Sequence, residues 1–93
     1  MPKVDHSNME HRIVRALTCY SNADDKIVFN VQFEGFDLAA FQEIFGVDSG
    51  NPMYDSYQVN DYNGSFLQQY LPKVQRINWD FNNCAYFIEA VEC

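Results

Sequence analysis

The stretch Phe36–Gly46, FDLAAFQEIFG, decides the fold. Asp37 can accept hydrogen bonds from the free amides of a first helical turn, which makes it a good N-cap. Phe36 before the cap and Phe41 behind it stand at hydrophobic-staple spacing. Leu38, Phe41 and Phe45 share one helical face, and Ile44 widens the stripe. Gly46 sits where a left-handed residue ends a helix. The pattern predicts a helix over 38–45 packed through Phe41 against a sheet.

Upstream, residues 11–20 (HRIVRALTCY) are rich in strand formers, with apolar residues on both faces. Ser21-Asn22-Ala23-Asp24-Asp25 is turn chemistry. Ile27, Phe29, Val31 and Phe33 then alternate with Val28, Asn30, Gln32 and Glu34, as in a strand buried on one side. Together these residues predict a β-hairpin.

Downstream, Asn51-Pro52 marks a break. A second helix is expected to begin near Asn60 or Asp61 and to run through FLQQYL, with Phe66, Leu67, Tyr70 and Leu71 on one side and Pro72 ending it. Asn63-Gly64 opposes this reading, because the pair also favours a tight hairpin turn. Gly64 is then a weak point in the first turns. Ile77, Trp79 and Phe81 alternate with Asn78 and Asp80, Asn82-Asn83 can turn the chain, and Ala85–Val91 is apolar on both faces like an interior strand. The expected architecture is α+β: an antiparallel sheet of three or four strands with two helices, in the order ββααβ, with a further strand if 76–81 is extended. Residues 1–10 are expected to be a flexible tail and 11–93 a single domain.

A chain of 93 residues suits one domain. Its apolar fraction of 47%, with eight Phe, six Tyr and one Trp, is enough for a packed core. No apolar run approaches the ~20 residues that span a bilayer. The N-terminus has no apolar signal core, so a cytoplasmic location is expected. Cys19, Cys84 and Cys93 lack CxxC spacing, which argues for reduced thiols.

Charge is more telling. Thirteen acids against six bases give −7. All six bases lie towards the ends, and none falls between Ile27 and Pro72, where Glu34, Asp37, Glu43, Asp48, Asp55 and Asp61 stand. A field of one sign repels nucleic acid and anionic membrane and attracts a basic partner. An acidic surface also serves solubility alone.

No catalytic signature is visible. His6 and His11 have no Cys or Ser beside them in a nucleophile context. The His and Cys residues lack zinc spacing, Asp48-x-Gly50 does not fit an EF-hand, and the four Gly form no phosphate loop. No enzyme activity, no metal and no cofactor is expected.

Segment 48–65, DSGNPMYDSYQVNDYNGS, holds three Asp, three Tyr, three Asn, three Ser and two Gly, with no base. Tyr gives rigid contact area, Ser, Gly and Asn adapt their hydrogen bonds, and Asp accepts from Arg and Lys. That mixture suits a binding surface. For Tyr54 and Tyr57 the favoured role is structural, closing the core beneath the connection, and Asp61 can merely cap a helix. Asp48, Asp55 and Tyr62 are expected on the surface.

The succession LAAFQEIFGVDSGNPMYDSYQVN, FLQQYL and NWDFNNCAYFIEA resembles the small acidic immunity proteins of bacterial polymorphic toxin systems, including contact-dependent growth inhibition. The resemblance covers roughly residues 12–92, and FGVDSGNPMYDSYQV and AYFIEA are its most particular pieces. The polar extension at 1–10 and Gly64 depart from the pattern. The resemblance implies a protein that binds a cognate toxin domain, often a nuclease, and neutralises it as a 1:1 heterodimer without touching nucleic acid or membrane. Such proteins diverge at the toxin-facing surface, so no binding residue carries over. By their own chemistry the toxin-binding candidates are Asp48, Asp55, Tyr57, Asp61, Tyr62, Trp79 and Asp80. The alternatives are an acidic adaptor or subunit outside any toxin pathway, and a small ligand-binding domain.

Overall fold

The computed structural model describes residues 13–92; the expected tail at 1–10, both histidines and Cys93 lie outside the described residues. The elements are β1 (Ile13–Ser21), β2 (Ile27–Gln32), α1 (Leu38–Phe45), β3 (Tyr57–Val59), α2 (Asp61–Gln68) and β4 (Cys84–Glu92). The fold is α+β, with two helices and one four-stranded antiparallel sheet in the order β2-β1-β4-β3.

The sheet is centred on its longest strands. β1 and β4 pair along their full nine residues, from Ile13 opposite Glu92 to Ser21 opposite Cys84. β2 completes the expected hairpin, with a register shift at Cys19/Tyr20. β4 lies between β1 and β3, the interior position that its apolar run suggests.

The helix over 38–45 forms as the sequence predicts. The Asp37 carboxylate accepts from the Ala40 amide, and Gly46 ends the helix at φ 67°, ψ 36°. The Phe36 and Phe41 rings meet at 4.4 Å. Phe41 is fully buried and also touches Phe33, Phe45, Phe66 and Tyr70. Around it the core gathers Leu17 and Cys19 of β1, Val59 of β3, Leu67 of α2, and Tyr86 and Ile88 of β4.

Two elements differ from expectation. The fourth strand is not at 76–81 but at Tyr57–Val59, so the order is ββαβαβ. Residues 76–81 are irregular; their aromatic alternation serves a covering loop. Trp79 and Phe81 stack at 5.6 Å, nearly parallel, and both rings meet Tyr86. The second helix begins at Asp61 but ends at Gln68, short of Tyr70 and Leu71, where 3₁₀-type bonds from Tyr70 to Leu67 and from Leu71 to Gln68 tighten the last turn. Its cap is Asn60 rather than Asp61: Asn60 and Asn63 exchange side-chain-to-backbone bonds of 3.0 and 2.9 Å in a capping box. Gly64 is buried in this helix and faces the Trp79 indole.

Candidate interaction surface

The acid- and tyrosine-rich segment is a shaped surface fixed from beneath. Gln42 of α1 is buried, and its Nε2 donates to the carbonyls of Ser49 (3.0 Å) and Asn51 (2.7 Å). Asn51 accepts from the Met53 amide at 2.8 Å and donates to the Tyr57 hydroxyl at 3.2 Å. Met53 takes a left-handed backbone, φ 57°, and turns its side chain into the core. Arg15 of β1 clamps the same loop. Its Nη2 donates to the Pro52 carbonyl at 2.7 Å, and its guanidinium lies 4.7 Å from the Phe36 centroid and 5.1 Å from that of Tyr54. The loop then enters β3 at the sheet edge, and α2 follows after one residue.

The candidates named from sequence divide into two kinds. Asp48, Asp55 and Asp61 are exposed, and Tyr62 is 81% exposed on α2. Asp61 is the acidic residue of the first helical turn, where a carboxylate is favoured. The other three candidates belong partly to the scaffold. Tyr57 is half-buried, with its ring 6.2 Å from that of Phe45, as a core-closing role requires; Tyr54, expected in the same role, is instead 57% exposed and lies beside the Arg15 guanidinium. Trp79 is half-buried in the Phe81–Tyr86 cluster. Asp80 is exposed, but its carboxylate accepts from Asn83, its carbonyl accepts from the Cys84 amide, and its own amide donates to the Tyr86 hydroxyl at 2.9 Å.

β3 separates these residues along the edge. Asp55 precedes the end where Tyr57 meets Ile88, and Asp61 follows the end where Val59 meets Tyr86. At the second end an open cleft of about 540 Å³ brings Asp61 and Phe81 together with Asn22, Gln58, Asn60 and Cys84. Asp48 sits apart, in the loop that leaves α1.

Among the described residues no three His, Cys, Asp or Glu side chains gather as metal ligands. Cys19 is buried, and burial, with Cys84 beside it, pushes its thiol up to about 11. A thiol of that kind is a poor nucleophile at neutral pH. Burial also pushes the Tyr86 hydroxyl up. The surface of the segment presents carboxylates, phenols and amides.

One cluster escaped the sequence reading. Glu89 of β4 accepts from Thr18 Oγ1 at 2.8 Å, Tyr20 OH at 2.9 Å and Ser56 Oγ at 3.4 Å. Asn30 Nδ2 in turn donates to Thr18 Oγ1 at 2.7 Å. The available signal was a single carboxylate inside the apolar run AYFIEAV of an interior strand.

Among the described residues no helix is long and apolar enough to cross a membrane. No curated protein and no solved structure matches the chain. A family model described as a domain of unknown function (DUF7683) matches residues 14–89, from β1 into β4, and the chain therefore belongs to that family.

Proposed function

We propose that the protein is an immunity protein: it binds a cognate toxin domain, a nuclease, in a 1:1 complex and occludes its basic active cleft. One observation carries the reading. Asp48, Asp55, Asp61, Tyr54 and Tyr62 are all exposed, on a segment that Gln42, Asn51 and the Asn60–Asn63 box hold in place. A nuclease binds phosphate, so its cleft is basic. Carboxylates on a pre-ordered segment meet that cleft with complementary potential and without an ordering cost. The base-free span from Ile27 to Pro72 extends the field and speeds encounter. The resemblance of the chain to toxin-neutralising proteins supplies the kind of partner, and the bacterial cytoplasm is the place of action.

The test is co-purification with the product of the adjacent reading frame, followed by rescue of cells that express it. Stoichiometric capture and rescue are expected. Capture without toxicity would favour the acidic adaptor. The ligand-binding alternative draws on the cleft beside Asp61, and it predicts neither capture nor rescue.

A further inference from the structure

We infer that the sheet face turned away from the helices carries a binding site for a basic side chain of a partner protein, a guanidinium above all, centred on the Glu89 carboxylate. This site does not depend on the identity of the partner proposed above, and it uses none of Asp48, Asp55 and Asp61.

Alternation places the site. Leu17 and Cys19 of β1 and Tyr86 and Ile88 of β4 enter the core, so Thr18, Tyr20, Phe87 and Glu89 face the other way. Among the strand positions on that side, Glu89 is the one charged residue. It is half-buried, and among the described residues its hydrogen-bond partners are the neutral hydroxyls of Thr18, Tyr20 and Ser56.

Those hydroxyls hold the carboxylate in one orientation. Thr18 Oγ1 accepts from Asn30, so its single proton is directed at Glu89 Oε1. The Tyr20 hydroxyl donates to Oε2, and this bond keeps its proton on by raising its pKa. A carboxylate has about four acceptor positions. Three are used here, and the Ser56 contact is the longest at 3.4 Å. An incoming fork of two N–H groups would take the free position on Oε1 and replace Ser56 on Oε2. Tyr20 and Phe87, edge to face at 5.7 Å, supply an aromatic wall beside it.

The energetics point the same way. A half-buried carboxylate met only by neutral donors has lost part of its water without gaining an opposite charge. A cation that arrives at a carboxylate already oriented makes a strong charge-assisted bond and orders nothing further. Ser56 follows Asp55, so the site adjoins the acidic segment on the neighbouring edge.

The test is a titration of ¹⁵N-labelled protein, followed by NMR, with L-argininamide and with L-citrullinamide, which keeps the α-ammonium but replaces the guanidinium by an uncharged urea. Saturable shifts at the Ala16, Thr18 and Phe87–Ala90 amides are expected with argininamide alone. Glu89→Gln should weaken that response by at least roughly tenfold. An equal response to both amides, shifts confined to Asp48, Asp55 and Asp61, or an argininamide response unchanged in Glu89→Gln would each overturn the inference. If Glu89→Gln does not fold, the contrast between the two amides in the unmodified protein decides alone.

Discussion

Gly64 shows how one missing side chain joins two parts of the chain. Its backbone is helical, yet a Cβ placed there would stand 3.4 Å from the Trp79 indole, at ordinary contact distance. Alanine therefore fits and brings better helix propensity, so Gly64→Ala should leave stability unchanged or raise it by up to ~1 kcal/mol. Valine adds two methyl groups against the ring, so Gly64→Val should cost about 1–3 kcal/mol and shift Trp79 fluorescence. Urea unfolding followed at Trp79 measures both. A tolerated valine would show that the indole can move aside.

The thiol of Cys19 sets a second expectation at this scale. Its pKa rises from 9.0 to about 11 in the folded chain, chiefly through burial. Between those values the unfolded chain loses its proton first, so the folded state holds more protons. Stability is then fully present below pH 9 and falls as pH rises towards 11. Tyr20, held above its ordinary 10.0 by the bond to Glu89, extends the loss upward. Denaturation midpoints between pH 8 and 11 should decline, and Cys19→Ala should flatten the lower part of the decline. A profile flat to pH 11 would contradict the assignment.

At the scale of elements, α1 is the keystone of the aromatic core. Phe41→Ala empties a site ringed by Phe33, Phe36, Phe45, Phe66 and Tyr70 and should cost roughly 3–5 kcal/mol, read by thermal or urea unfolding. Gln42→Ala acts differently. It frees two carbonyls of the 48–56 loop and should cost about 1–3 kcal/mol while raising hydrogen exchange at the Gly50, Asn51 and Met53 amides. Unchanged exchange there would mean that Arg15 and Asn51 hold the loop without Gln42.

This contrast explains what could be read in the sequence. α1 is local: cap, staple, stripe and terminal glycine lie within eleven residues, and all point to one answer. The interior position of β4 was also visible in its long apolar run, Ala85–Val91, broken only by Glu89. β3 has three residues and is extended because β4 offers it an edge, a fact that lies almost thirty residues further along. Segment 76–81 has the alternation of a strand but pairs with none; its Trp79 and Phe81 rings pack on Tyr86 instead. In the surface segment, Asp48, Asp55 and Tyr62 were expected outside and are outside. The structural work of Asn51, Asn60 and Asn63 was hidden, because asparagine in a loop looks alike whether it contacts a partner or caps a helix. The Glu89 cluster draws on β1, β2, the 48–56 loop and β4, and no spacing in the sequence announces it.

For the whole molecule, the distribution of charge carries the functional prediction. Asp48→Lys, Asp55→Lys and Asp61→Lys together reverse the sign of the edge without touching the core. If this edge meets a basic toxin, the triple variant should bind several orders of magnitude more weakly. Loss of a buried, hydrogen-bonded pair costs ~2–5 kcal/mol, and loss of a rim charge mainly slows association. Calorimetry at two salt concentrations separates these contributions, with circular dichroism as the folding control. Asp61→Lys is also measured alone, since a cation in the first turn of α2 costs about 0.3–1 kcal/mol of stability. A folded triple variant that binds and rescues normally would move the contact to Asp24-Asp25 or Trp79-Asp80.

The pairing of β1 with β4 has a consequence for how the protein comes into being. The two central strands open and close the described chain, and Ile13 lies opposite Glu92. During synthesis β1 and β2 can close their hairpin early, but the sheet has no centre until residues 84–92 have emerged. Contacts so distant in sequence make folding slow for a small domain. A nascent or prematurely ended chain would expose the apolar side of that hairpin, with Phe29 and Val31, to chaperones and proteases. The same geometry brings Ile13 and Glu92 within linking distance. A permuted chain that joins them through a short flexible linker and opens in the Asn22–Asp25 turn would make β4 and β1 neighbours in sequence. It should refold faster than the natural order, and stopped-flow refolding of the two chains would show it.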